Sequence, residues 1–140
     1  MSREKTSGEG VTPLAPAGAI APTGPWSVGA RAGDFVFVAG MRGIDPASGQ
    51  LVAGDEARIR QAFANMSLIA AAEGAALADC VRLTVFVTDM TRLRPIVNRV
   101  QEDLWGGGPY PPRTIVEVKS LNQDDVFEVE GTFHAPTGRK

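Results

Sequence analysis

The chain has 140 residues, a formal net charge of −2, and 44% hydrophobic against 21% charged residues, which suits one soluble domain with a real core and excludes two ordinary ones. No stretch approaches the roughly 20 apolar residues of a membrane span, and the lack of an extended basic stripe argues against nucleic acid as partner. The only cysteine, Cys80, excludes an intrachain disulfide and fits a reducing, cytoplasmic setting, and the only histidine, His134, leaves little from which to build a triad or a His-rich metal site.

Residues 1–12 read as a polar, flexible tail without the apolar segment of a secretory signal, and residues 13–140 as a single domain. Residues 13–25, rich in Ala, Pro and Gly, form an extended lead-in without regular structure. Asp34-Phe35-Val36-Phe37-Val38-Ala39-Gly40 is a strand, paired through a turn with the segment around Val28–Gly33. Asp45-Pro46-Ala47-Ser48-Gly49 has turn chemistry. From Asp55, taken as the N-cap, Ile59, Ala62, Phe63, Met66, Ile69 and Ala70 recur at helical spacing as far as a stop at Gly74. Val81, Leu83, Val85 and Val87 then alternate on one face of a strand. A second helix carries Leu93, Ile96, Val97, Val100 and Leu104, with Pro95 in or near its first turn. Trp105-Gly106-Gly107-Gly108-Pro109 ends it, and strands at about 113–118 and 125–134 close the chain. The order β-β-α-β-α-β-β predicts an α+β domain with its helices packed on one sheet.

Arg113 follows Pro111-Pro112, which force an extended approach, and opens a β-branched run, so it sits where a loop becomes a strand. Such a position fixes the root of the side chain and frees its guanidinium to reach a pocket. On the last strand Val126, Glu128, Glu130, Thr132 and His134 share one face, opposite Phe127, Val129 and Phe133. A fixed cation and a nearby carboxylate could hold a small acid and hydrolyse it. The residues alone favour a surface arginine and a solvated strand face, because structural charges are common and surface pairs contribute little.

An ordered series of short stretches goes further. Gly24-Pro25-Trp26-Ser27, Phe35–Gly40, Asp45-Pro46 with Gly49-Gln50-Leu51-Val52, Val85–Met90 with Val97-Asn98, Pro112-Arg113-Thr114, and Phe127-Glu128-Val129-Glu130 occur in turn. Together, across about residues 13–134, the chain resembles the Rid/YjgF family of reactive-intermediate imine/enamine deaminases. The resemblance implies a trimeric chorismate-mutase-like fold, a homotrimer with three intersubunit clefts, and no metal or organic cofactor. It implies a catalytic pair in which Arg113 binds the substrate carboxylate and Glu128 orients or activates water. Trp26, Ala39, Met41, Asn98 and Ile115 fall at substrate-binding positions. Trp26 stands where imine-active members usually have tyrosine, Val28 where a glutamine is common, Ala39 and Met41 where serine and glutamine are frequent, and Ile115 where cysteine often lies. Fewer side-chain donors and a larger apolar lining suit a bulkier or more apolar acid. They also suit a non-catalytic, carboxylic-acid-binding or regulatory trimer. Arg42, in a segment usually apolar in the family, either adds an anion contact or lies on the surface, which is the commoner case.

Overall fold

The computed structural model describes residues 10–137. Six strands form one sheet: β1 (Val11–Leu14), β2 (Gly29–Ala32), β3 (Phe35–Met41), β4 (Cys80–Val87), β5 (Arg113–Glu117) and β6 (Phe127–His134), in the spatial order β1-β2-β3-β6-β4-β5. Helices α1 (Asp55–Ala72) and α2 (Met90–Leu104) cover one face. All pairings are antiparallel except β4 with β5, which α2 connects in parallel.

The stripe expected on α1 is buried in full: Ile59, Ala62, Met66 and Ile69 are sealed beneath the sheet with Phe63 and Ala70. Phe63 stacks near Phe127 of β6, 5.7 Å between ring centres, and meets the edge of Trp105 at 6.0 Å. The N-cap of α1 is Gly54, not Asp55. Gly54 has φ 93° and gives no side-chain cap, and Asp55 and Glu56 instead place negative charge in the first turn, against the positive end of the helix dipole. Gly74 ends the helix as expected, in the left-handed region at φ 86°, with its amide on the Ala71 carbonyl.

Three further expectations shift. Val11 and Thr12 belong to β1, so regular structure begins inside the segment read as tail and lead-in; residues 1–9 lie outside the described residues. Pro13 is tolerated there because β1 is an edge strand. Val81 is exposed rather than inward, because a register shift between Cys80 and Arg82 interrupts the alternation of β4. Pro95 lies past the first turn of α2, whose N-cap is Asp89. Its missing amide would have met the Thr91 carbonyl, and both residues are exposed, so water can serve that group.

Among the described residues no helix covers the other face of the sheet. It presents Phe37 and Phe35, 45% and 40% exposed, together with Val116, Arg82 and Glu130. Aromatic side chains on an uncovered sheet face mark a surface suited to another protein layer.

Candidate active site

Strict alternation along β6 sends Phe127, Val129 and Phe133 into the core and turns Glu128 and Glu130 to the uncovered face, as their order in the sequence implies. Opposite Glu130, β3 carries a bulge. Val38 pairs with Gly131 and Met41 with Val129, so Ala39 and Gly40 both fit into the space of one residue. Gly40 lies directly under the Glu128 side chain. A Cβ built there would collide with Glu128 Oε2 and come within 2.7 Å of its Cδ. The bulge and the bare glycine therefore make the seat of the carboxylate. Gly40→Ala is expected to push that carboxylate off its position and to lower turnover roughly 10²-fold, with little change in circular dichroism; steady-state kinetics on the folded variant check this.

Among the described residues the Glu128 carboxylate has no hydrogen-bond donor and no ion-pair partner. Burial raises its pKa from the ordinary value of 4.5; Arg42 pulls the other way, and Glu130 and Asp125 add to the rise. It lines a cleft of about 720 Å³ with Trp26, Ala39, Arg42, Ile44 and Gln123. An unpaired, half-buried carboxylate in a cleft is suited to taking a proton from water.

Arg113 is the first residue of the edge strand β5, and the preceding Pro112 accepts a bond from the Leu83 amide at 2.9 Å. The guanidinium reaches the face covered by α2. There Nη1 donates to Asn98 Oδ1 at 2.9 Å and Gln101 Oε1 at 2.7 Å. Both acceptors are neutral amides, so they orient the fork without cancelling its charge. Burial and the like charge of Arg94 pull its pKa below the ordinary guanidinium value, from a starting point so high that the group stays charged. Its remaining donors open onto a smaller cleft of about 230 Å³, walled by Tyr110, Pro111 and Glu102.

The two proposed catalytic groups do not meet within one chain. Arg113 is in register with Leu83, on the helix side, whereas Glu128 is in register with Phe86 and, beyond it, Val116, on the open side. They stand on opposite faces, with β4 between their strands.

The other expected site residues divide. Trp26, 38% exposed, and Ala39 line the cleft of Glu128, and Asn98 steadies Arg113. Ile115 shares the helix-side face with Arg113 and packs against the core, outside both clefts. Met41 is fully buried in the core opposite Val129, so its side chain cannot line the cleft. The bulge causes this by shifting the alternation, which turns residue 41 inward. Arg42 is not a surface residue: it is buried and bonded to Asp125, Asn122 and Gln123. Gln101 was not foreseen as a second orienting acceptor, although its spacing of three from Asn98 on a helix is a usable sign.

A family model described as Endoribonuclease L-PSP matches residues 17–134. The chain is 37% identical over 110 residues to a RutC family protein of Pyrococcus horikoshii, covering 78% of this chain and 86% of that one. It is 33% identical over 122 residues to a 2-iminobutanoate/2-iminopropanoate deaminase of Dermatophagoides farinae, covering 85% and 89% of the two. The solved structure of a probable translation initiation inhibitor of Rhodopseudomonas palustris shares 57% identity with a TM-score of 0.88, over 91% of this chain and 99% of its own. The chorismate-mutase-like fold is common to these structural neighbours. On fold, site order and sequence together, the chain belongs to the YjgF/RutC/Rid family.

Proposed function

We propose that this protein is a hydrolytic deaminase of small 2-imino or enamine acids that works without a cofactor, as a homotrimer whose sites lie between subunits. The observation that carries the reading is the separation of Arg113 and Glu128. One chain supplies an uncompensated cation at a sheet edge, and its other face supplies an unpaired carboxylate in a cleft. Packing of open sheet faces around a closed ring would bring the cation of one subunit to the carboxylate of the next. The exposed Phe35, Phe37 and Val116 would be covered in the same step.

In such a cleft the guanidinium holds the substrate carboxylate by two parallel hydrogen bonds and fixes its orientation. Glu128 takes a proton from water as the water oxygen bonds to the imine carbon. From the protonated imine this gives a neutral carbinolamine whose nitrogen receives that proton; Glu128 then takes the hydroxyl proton as the C=O bond forms and the C–N bond breaks, and ammonia and the 2-oxo acid leave. Imines already hydrolyse readily in water, so positioning supplies most of what is needed. The Dermatophagoides relative, named for this chemistry on short imino acids, supports the reaction class. A phosphodiester is a poorer match for a cleft that points a free carboxylate at its ligand.

The test is to generate imines from several amino acids with an amino-acid oxidase and to trap them with semicarbazide. A deaminase lowers the trapped yield, and Arg113→Ala removes the effect. A parent protein that changes no trapped yield, yet binds 2-oxo acids only while Arg113 is intact, would instead be the non-catalytic binding trimer. The near absence of side-chain donors at Trp26, Ala39 and Ile44 on the cleft wall is what favours that second reading.

A further inference from the structure

Arg42 has more support than a surface residue or a simple ion pair requires. Met41 turns inward after the bulge, so Arg42 turns toward the cleft. Its backbone is pinned by buried Asn65 of α1, whose Nδ2 donates to the carbonyls of Arg42 at 3.0 Å and Ile44 at 2.8 Å. Between them, Gly43 has no room for a Cβ, which would come within 2.8 Å of the Arg58 carbonyl carbon. That close approach brings Arg58 alongside. The Arg42 guanidinium is held by Asp125 Oδ2 at 2.9 Å, the Asn122 carbonyl at 3.0 Å and Gln123 Oε1 at 2.7 Å. The loop that supplies these acceptors carries Gln123 and Asp124 at φ 58° and 54°. Left-handed backbone is unfavourable for ordinary residues, and it persists only where its surroundings hold it.

Within hydrogen-bond distance the cluster has one carboxylate for two guanidinium groups, and Glu128 acts on Arg42 only through space. Arg58 Nη1 binds the other oxygen of the same carboxylate at 2.8 Å, and Asp125 is 1% exposed. Two guanidinium groups thus share one buried carboxylate. Three hydrogen bonds leave donors of Arg42 unused. Because no fully buried side-chain nitrogen lacks a partner among the described residues, the unpartnered Nε is not wholly sealed, although the side chain as a whole is only 10% exposed. The cleft it lines, about 720 Å³, lies within the range of roughly 300–1,000 Å³ that holds drug-sized ligands.

We infer that Arg42 is a specificity-determining residue that binds a second carboxylate at the far end of the substrate, so that the cleft selects dicarboxylic over monocarboxylic 2-imino acids. This rests on the reading that Arg113 of a neighbouring subunit holds the carboxylate beside the imine carbon, with Glu128 between the two cations. The fixed fork of Arg42 then measures the length of the acid as well as its charge. The apolar lining at Trp26, Ile20 and Ile44 contacts the methylene groups between.

The experiment compares two acids of equal chain length, the imines of glutamate and of norvaline, formed in situ, with the wild type, Arg42→Met and Arg42→Lys. The wild type is expected to have the higher kcat/KM on the dicarboxylic imine. Loss of hydrogen bonds to a charged group should make the fall in Arg42→Met roughly 10- to 100-fold larger for that imine than for the monocarboxylic one. Arg42→Lys, which keeps the charge without the fork, should fall between. Equal losses on both imines would assign Arg42 to loop support alone and overturn the inference, as would a wild type with no preference. If neither imine is hydrolysed, calorimetric binding of the corresponding five-carbon 2-oxo acids reads the same comparison. A dicarboxylate preference lost in Arg42→Met would then keep this inference while the deaminase reading fails.

Discussion

Glu128→Gln is expected to lower kcat for imine hydrolysis by roughly 10²–10⁴-fold, the range for loss of a general base, while raising the melting temperature. The two effects have one cause. The ionised carboxylate is half-buried, without a hydrogen bond or ion pair among the described residues, and burial raises its pKa from 4.5. A carboxyl group whose pKa is raised by folding binds more protons folded than unfolded between the two pKa values, so stability falls as pH rises through that window. At neutral pH the wild type bears this penalty and the neutral amide does not. The difference in melting temperature between the two proteins should therefore shrink below about pH 4.5. The rate has the opposite sense: the base works only when ionised, so kcat of the wild type should fall as pH drops through the raised pKa. Thermal scans and a pH–rate profile on the same preparations check both. The stability gain is that of the single chain; in an assembled ring the Arg113 of the next subunit offsets part of the penalty, so the gain should be larger in Glu128→Gln made in an Arg113→Ala background.

Asp125→Ala should be strongly destabilising, by roughly 3–5 kcal/mol. Its carboxylate is sealed from solvent and satisfies both Arg42 and Arg58, besides accepting from the Val126 amide at 2.7 Å. Removing it leaves two mostly buried guanidinium groups without a directly bonded counter-charge and frees the strained turn at Gln123 and Asp124. Against a typical total of about 5–15 kcal/mol, a large share of the folded population is at stake. Asp125→Asn keeps the shape and one acceptor and should cost less. Urea unfolding of the two variants, compared with the wild type at equal concentration, measures the difference.

Periodicity made the core legible. The stripe of α1 and the alternation of β6 depend on local spacing, and both place their residues as read. Irregularities broke that logic. One extra residue at Ala39-Gly40 buried Met41 and turned Arg42 into the cleft, and the shift at Cys80/Arg82 exposed Val81. A bulge has no period, so pattern reading carries straight through it. β1 escaped because an edge strand of four residues that contains Pro13 is too short to show alternation. Arg113 and Glu128 were legible as residues through the order of the motifs around them. Their partners were less so. Gln101 comes from helix geometry and Asp125 from a contact 83 residues away from Arg42, and neither has a local signature.

The opposed faces of Arg113 and Glu128 lead to the most direct measurement. Arg113→Ala and Glu128→Gln proteins, each inactive alone, are unfolded together, refolded as a mixture and assayed. If each site takes its arginine from one subunit and its glutamate from the next, random mixing in a closed ring makes about one quarter of the sites intact. Activity should therefore return to roughly that fraction of the wild-type value. A mixture that stays as inactive as its components, despite verified exchange of subunits, would contradict a site shared between chains.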